Sequence, residues 1–428
     1  MDKMIYQSLG ETLYSFTHSS GLPVIFIQKK GFTRKFGVIG VDFGSVNTCF
    51  QVAGEPVTTV PQGIAHFLEH KLFEQEDGNV LEKYTRMGAS PNAATSFSNT
   101  YYYFNCTDRF EDCLRLLLHF VFHPHLTPEN VEKEKGIIEQ EIRMYEDEPY
   151  YQSMLGVIRL LYQKNPVRND IAGSVEDIRG LTPELLMKCY NTFYRPDNMC
   201  LTIVADEDPM AVQALVESVE IPQTILPGVR RISEPEPAAL YGKMDRKMMD
   251  VALPLFHFGF KDRHEAYQGT ARVRRDLAGT IAKELLFGRH TDFYEQLYGE
   301  GLINQEFGAS YEMEREFALA MIFGETERPE EVEARVRRHL AQVAAKGLDA
   351  SDFQMMRDSM AGKMLKRLNS PESLGTMVCV SSLQGVQAFD YFTACGTITF
   401  DEVDRVFREV FLGEMAVSLV ENERGHSI

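Results

Sequence analysis

His66-Phe67-Leu68-Glu69-His70 places two imidazoles four residues apart, with a carboxylate immediately before the second. On a helix, positions i, i+3 and i+4 share one face, so the three side chains converge on one point. Ala65, Phe67, Leu68 and Leu72 make the rest of that helix apolar, and Pro61-Gln62-Gly63 is a turn able to start it at Ile64. Two histidines and a glutamate in such a buried helix are costly unless they meet a partner, and a metal ion satisfies them together. Two neutral imidazoles plus a non-ligating carboxylate are also what zinc hydrolysis requires: two ligands, and a base beside a water molecule. The order His-x-x-Glu-His reverses the commoner His-Glu-x-x-His. A chain with eleven histidines produces such a triplet by chance now and then, so its context has to carry the reading.

The context is that of a multidomain globular protein. A chain of 428 residues is too long for one ordinary core and predicts two to four domains. Its 44% apolar and 25% charged residues exclude a disordered or fibrous chain. No apolar run reaches the length of a membrane span and Met1 to Tyr6 has no signal-peptide core, so a cytoplasmic protein without a membrane partner is expected. The seven cysteines (Cys49, Cys106, Cys113, Cys189, Cys200, Cys379, Cys395) are odd in number, scattered and without a Cys-x-x-Cys pair, as reduced thiols would be. A net charge of −18 argues against a nucleic-acid partner. Solubility accounts for that charge, and so does an acidic chamber that draws in basic peptides; charge alone does not separate the two.

Periodicity predicts strands over 23–27 and 36–42, the helix from Ile64, and a short helix over 77–87 that ends at Gly88. One long strand is expected over 93–104, rich in Thr, Phe and Tyr, followed by an amphipathic helix over 110–122. Thr127-Pro128 opens a further helix reaching about Tyr145, with Thr as N-cap and Pro in the first turn. A helix over 182–194 and a strand over 198–205 close the first half. Residues 221–242 contain Pro222, Pro227, Pro235 and Pro237 with no periodicity, the composition of a linker. After it the pattern restarts: strand 251–260, helix 271–286, strand 317–323, helices 330–345 and 351–368, helix 401–411 and strand 415–420. This order repeats the first half, and Ile281-Ala282-Lys283-Glu284-Leu285-Leu286 resembles the histidine helix without its ligands. The expected architecture is α+β: an N-terminal metal-binding domain (1–220), a linker (221–242) and a homologous C-terminal domain without ligands (243–428).

A catalytic zinc needs a third protein ligand. The helix from Pro128 offers Glu132, Glu134, Glu139, Glu141 and Glu146; Glu134 and Glu141 share a face with Ile138, and most of the rest belong to a solvated surface. The stretch Pro61-Gln62-Gly63-Ile64-Ala65-His66-Phe67-Leu68-Glu69-His70-Lys71-Leu72-Phe73-Glu74 resembles the pitrilysin/insulinase family of zinc peptidases, the inverzincins. Asn92-Ala93-Ala94-Thr95, Glu134-Lys135-Gly136-Ile137-Ile138-Glu139-Gln140-Glu141 and Tyr194-Arg195-Pro196-Asp197-Asn198-Met199 carry the same resemblance, which covers essentially the whole chain. It implies two homologous domains, each a mostly antiparallel sheet covered by helices, that meet another such pair around a closed chamber. It implies one Zn²⁺ per chain held by His66, His70 and Glu141, with Glu134 orienting the ligands and Glu69 as catalytic base. Asn92, Ala93 and Ala94 are implied to lie on an edge strand to which a peptide substrate adds as a further strand. His119, His123 and His125, at a helix end beside Pro124, read as structural, and Tyr101-Tyr102-Tyr103 as strand packing.

One region departs from the family. Many active members carry an arginine and, seven residues on, a tyrosine that approach the zinc from the distal half. Here Tyr298 stands at the arginine's place and Asn304 roughly at the tyrosine's. Bacterial members often occur as two unlike subunits, and this chain is similar to the zinc-bearing one. The resemblance thus implies an endopeptidase for short or unfolded peptides, working with a homologous partner subunit that supplies the Arg/Tyr pair, or as a homodimer. The alternative is a non-catalytic peptide-binding or assembly subunit with vestigial chemistry.

Overall fold

The computed structural model describes residues 1–223, 228–263 and 268–422. Residues 224–227, which include Pro227 of the expected linker, lie outside the described residues. By its contacts the chain forms two compact units. The first comprises Met1–Gln140, Asp170–Ser233 and Met364–Ala388; the second comprises Glu141–Asn169, Glu234–Lys363 and Phe389–Ile428. These boundaries differ from the expected 1–220 and 243–428, because each unit takes a segment from the other half of the chain.

The first unit is built on seven strands: β1 (Asp2–Tyr6), β2 (Glu11–Thr17), β3 (Pro23–Gln28), β4 (Lys35–Val41), β5 (Ser90–Thr95), β6 (Thr100–Cys106) and β7 (Met199–Ala205). Their spatial order is β1-β2-β3-β7-β4-β6-β5; only the pair β3–β7 is parallel, and every other pairing is antiparallel. Alternation along β6 sends Tyr102 and Phe104 into the core with no exposed surface, while Tyr101 and Tyr103 face the other side. The Tyr102 hydroxyl meets that of Tyr194 at 2.8 Å, consistent with a packing role for this run.

The second unit holds five strands: β8 (Met244–Met248), β9 (Leu255–Lys261), β10 (Gly308–Met313), β11 (Ala318–Glu325) and β12 (Met415–Glu421), in the order β8-β12-β9-β11-β10. This is the order of β3-β7-β4-β6-β5, position for position. It also has the same single parallel pair, here β8–β12. The fold is α+β with two like domains, mostly antiparallel sheets and helical cover, and the repeat seen in the sequence pattern is a repeat of topology.

The helices are α1 (Ile64–Leu72), α2 (Pro128–Glu146), α3 (Pro149–Leu161), α4 (Gly269–Phe287) and α5 (Pro371–Leu383), with shorter and peripheral ones between them. Helix α3, from the first half of the chain, packs on β12 and β9; helix α5, from the second half, packs on β7 and β4. Each sheet is thus covered by a helix encoded in the opposite half, and neither helix was expected from the sequence. Close approach explains how α5 fits: a Cβ on Gly40 of β4 would stand 2.7 Å from Leu383 Cδ1, and one on Gly375 would stand 2.5 Å from the Phe36 ring.

One expectation is corrected. The segment 93–104 is two strands, not one, because Ser96 to Asn99 forms a tight turn. Ser96 N donates to Asn99 O at 2.8 Å, and Ser96 Oγ accepts from the backbone of Asn99 at 3.1 Å. Thr95 therefore faces Thr100 across a hairpin, and β5 becomes the outer strand of its sheet.

Candidate metal centre

Helix α1 begins at Gly63, whose φ of +79° suits glycine. A Cβ there would meet Ala172 O at 2.1 Å, so the loop containing Ala172 lies directly against the helix start. Ile64, Ala65, Phe67, Leu68 and Leu72 are buried, which holds α1 in one rotational setting and aims His66, Glu69 and His70 to one side. The two imidazole rings lie 4.6 Å apart, inclined at 60°. Burial pushes the His66 ring down to about 3, with neighbouring His70 adding to the effect, so at neutral pH this ring has a lone pair to offer.

Helix α2 supplies the opposite side. The unit division passes through it between Gln140 and Glu141, but the helix itself is continuous, and Glu134 and Glu141 stand two turns apart along it. Among the described residues, one group of three His, Cys, Asp or Glu side chains converges as metal ligands would: the donor atoms of His66, His70 and Glu141 all lie within 4.8 Å of one another. Two nitrogens and one carboxylate oxygen make a donor set that zinc takes, with a fourth position left for water or substrate. The His119–His123 pair is not part of such a group; their rings stack at 4.5 Å, and His123 Nδ1 lies 2.8 Å from His119 O.

The remaining predicted residues surround this group. Glu134 Oε1 lies 3.1 Å from His70 Nδ1, which favours the tautomer whose free lone pair is on Nε2. Asn92, Ala93 and Ala94 lie on the outer strand β5; Asn92 is exposed, and its Oδ1 accepts from Ala93 N at 2.8 Å. Asn92, Glu69, His70, Phe73 and Glu134 line a cleft of about 460 Å³.

Three participants escaped the sequence reading. Thr95 Oγ1 donates to Glu69 Oε2 at 2.7 Å and stands 3.3 Å from Thr100 Oγ1, which in turn donates to Phe43 O. The Tyr145 hydroxyl donates to Glu141 Oε1 at 3.1 Å. Lys71, with no exposed surface, lies 2.5 Å from Glu74 Oε2 and 3.7 Å from Glu134 Oε2. The hydrogen bond from Lys71 holds the Glu74 carboxyl below the usual carboxylate range. A lysine interrupting an apolar helix face was a visible signal; the partners of Thr95 and Tyr145 depend on the hairpin and on the length of α2.

Tyr298 and Asn304, where the resemblance implied an arginine and, roughly, a tyrosine, are differently engaged. Tyr298 is exposed near the end of the helix Asp292–Gly299, and Asn304 Nδ2 donates to Glu325 Oε1 at 2.6 Å.

A repeated α+β scaffold with a His-His-Glu group and a carboxylate beside it defines the inverzincin class of metallopeptidase scaffolds. The chain belongs to the insulinase family, peptidase family M16. Residues 58–175 match that family's description, and residues 180–360 match the one named Peptidase M16 inactive domain. A Bacillus subtilis (strain 168) protein named as the uncharacterized zinc protease YmfH is 38% identical over 407 residues, covering 94% of this chain and 95% of that protein. A second protein of that strain, named as the uncharacterized zinc protease YmxG, is 21% identical over 84% of this chain and 88% of its own length. A crystal structure described as an M16-like peptidase, from Alicyclobacillus acidocaldarius, superposes with a TM-score of 0.92 at 32% identity, covering 96% of this chain and 99% of that one. Pitrilysin shares the fold, with a TM-score of 0.73 at 13% identity over 99% of this chain and 46% of its own. No helix among the described residues is long and apolar enough to cross a membrane.

Proposed function

We propose that this protein is a zinc-dependent endopeptidase acting on short or unfolded peptides, and that it is the metal-bearing subunit of a two-subunit enzyme. The observation that carries the reading is the convergence of the His66, His70 and Glu141 donors within 4.8 Å, with Glu69 next to His70 and hydrogen-bonded by Thr95 at 2.7 Å. His66, His70 and Glu141 would hold Zn²⁺, which when bound acidifies water and polarises a carbonyl. Glu69 does the proton work: its carboxylate accepts a proton from the attacking water and returns it to the leaving amine. Thr95 donates to Oε2 and so holds the carboxylate in one orientation beside the ligand group. The outer strand β5, with Asn92 to Ala94, has no further strand on its far side among the described residues, and there an extended peptide would add across the cleft; such binding reads backbone more than side chain.

Glu69→Gln tests the mechanism: the variant should bind zinc as the wild type does and lose at least about 10³-fold in peptide hydrolysis. Unchanged turnover would sink the role given to Glu69.

The two-subunit reading is supported by Tyr298 and Asn304, which stand where an arginine and a tyrosine would complete the site. A homologous partner would bring that pair; a homodimer would not. Addition of whatever co-elutes with the chain from its source cell should raise peptide cleavage. A homodimer whose turnover no partner improves would retire this reading. A cytoplasmic setting is supported by the seven cysteines, all free thiols. The competing reading, a peptide-binding or assembly subunit with vestigial chemistry, draws on the same missing pair.

A further inference from the structure

An ammonium with no exposed surface is expensive to keep unless carboxylates surround it. Lys71 is such a group, next in sequence to His70 on a helix whose other buried side chains, His66 apart, are apolar. Its partners are Glu74 Oε2 at 2.5 Å and Glu134 Oε2 at 3.7 Å. Glu134 is itself buried, and it splits its two oxygens: Oε1 faces His70 Nδ1 at 3.1 Å, and Oε2 faces Lys71. The chain of charges extends outward to Lys133, 3.5 Å from Glu74 Oε1.

We infer that Lys71 is a positioning residue of the metal centre, acting on His70 through the bridging carboxylate of Glu134. The inference rests on reading His66, His70 and Glu141 as zinc ligands and adds a component to that site. The physical reason is that a buried carboxylate asked to orient an imidazole must keep one rotamer and needs a countercharge beside it. A lone imidazole N–H does little against the cost of burying that charge. The fixed ammonium behind Oε2 offsets it, keeps Glu134 an acceptor, and turns Oε1 toward Nδ1. Without Lys71, the Glu74 and Glu134 carboxylates would share the pocket with no cation between them. Repulsion between the two like charges would turn one of them away, and His70 would lose its orientation.

The test is a double-mutant cycle on the full chain, read as the zinc dissociation constant in competition with a chromophoric chelator. The four proteins are wild type, Lys71→Met, Glu134→Gln and the double variant, each with its fold verified by circular dichroism and urea melting. Lys71→Met should weaken zinc about tenfold, the size usual for loss of a group that orients a ligand. In the Glu134→Gln background the same substitution should change the constant by less than about twofold, because the carboxylate it acts through is gone. An equal loss in both backgrounds would show that Lys71 only supports the helix; no loss in either would show that it does not act on the metal. Both results overturn the inference. Should Lys71→Met fail to fold, Lys71→Gln keeps part of the stem and a hydrogen-bond donor while removing the charge, and the same comparison applies. His66→Ala separates this failure from failure of the ligand reading. Zinc binding abolished by His66→Ala but indifferent to Lys71 sinks the Lys71 role alone. Zinc binding indifferent to His66→Ala, or absent in the wild type, sinks both.

Discussion

A buried titratable side chain couples structure to pH, and two histidines here do so in the same direction. His257, 1% exposed, has Nδ1 at 2.9 Å from Ser153 Oγ and its ring against Phe323 and Tyr150. Burial pushes it down to about 3, as it does His66. The native state keeps His257 neutral while the unfolded chain takes up a proton near 6.5. Its contribution to stability is therefore complete above pH 6.5 and is lost progressively as pH falls toward 3, by up to ~1.4 kcal/mol per pH unit. His257→Gln should flatten the fall in urea-melting stability between pH 6.5 and 4 by up to one proton relative to wild type; an unchanged slope would refute the assignment. At the candidate metal centre, Thr95→Val removes the donor to Glu69 Oε2. A positioning hydrogen bond to a charged group contributes about 1.5 kcal/mol, so kcat should fall about tenfold with zinc affinity unchanged. Peptide kinetics beside a zinc titration would reveal the split. At this scale the sequence was most readable where chemistry is carried by adjacent residues, as in His66, Glu69 and His70. It was least readable where a hydroxyl from a distant strand or turn completes the work, as with Thr95 and Tyr145.

At the scale of elements, the helices with strong end signals matched expectation. Thr182 caps the helix Pro183–Phe193 through Leu185 N, and the amphipathic helix occupies Phe110–Phe122 as its spacing predicted. The start of α1 is the most demanding junction. Gly63 combines a positive φ with a neighbouring carbonyl oxygen that a Cβ would strike at 2.1 Å. Gly63→Ala should thus cost at least ~2 kcal/mol, part from left-handed backbone strain and part from displacing the Ala172 backbone. Denaturant melting checks the stability, and weakened zinc binding in the same variant would show that the displacement reaches His66. The strand over 93–104 was misread because its residues have high β-propensity on both sides of a turn made by Ser96 to Asn99. Propensity does not report where a chain reverses when no glycine or proline marks the place.

For the whole molecule, the exchange of α3 and α5 between the halves decides what can fold alone. A fragment 1–233 would lack α5 and leave the apolar faces of β7 and β4 uncovered. It should fail to give a cooperative melt, and adding the fragment 234–428 in trans should restore one; a stable, monomeric 1–233 would contradict the exchange. The repeated strand order was foreshadowed by the repeated pattern of strands and helices. The exchange was not, since hydrophobic spacing tells that a helix face is buried without telling against which sheet. The sequence by itself determined the local chemistry of this protein: the His-x-x-Glu-His face, the glutamates two turns apart on α2, the restart of the pattern after the prolines, and the family to which the chain belongs. The first three follow from short-range periodicity, which the residues carry with them, and the family from the resemblance of its motifs. Only the tertiary structure decided that Glu141 reaches the two histidines, that Thr95 and Lys71 face Glu69 and Glu134, and which sheet each exchanged helix covers. Those are contacts between residues far apart in sequence, selected by how buried surfaces fit.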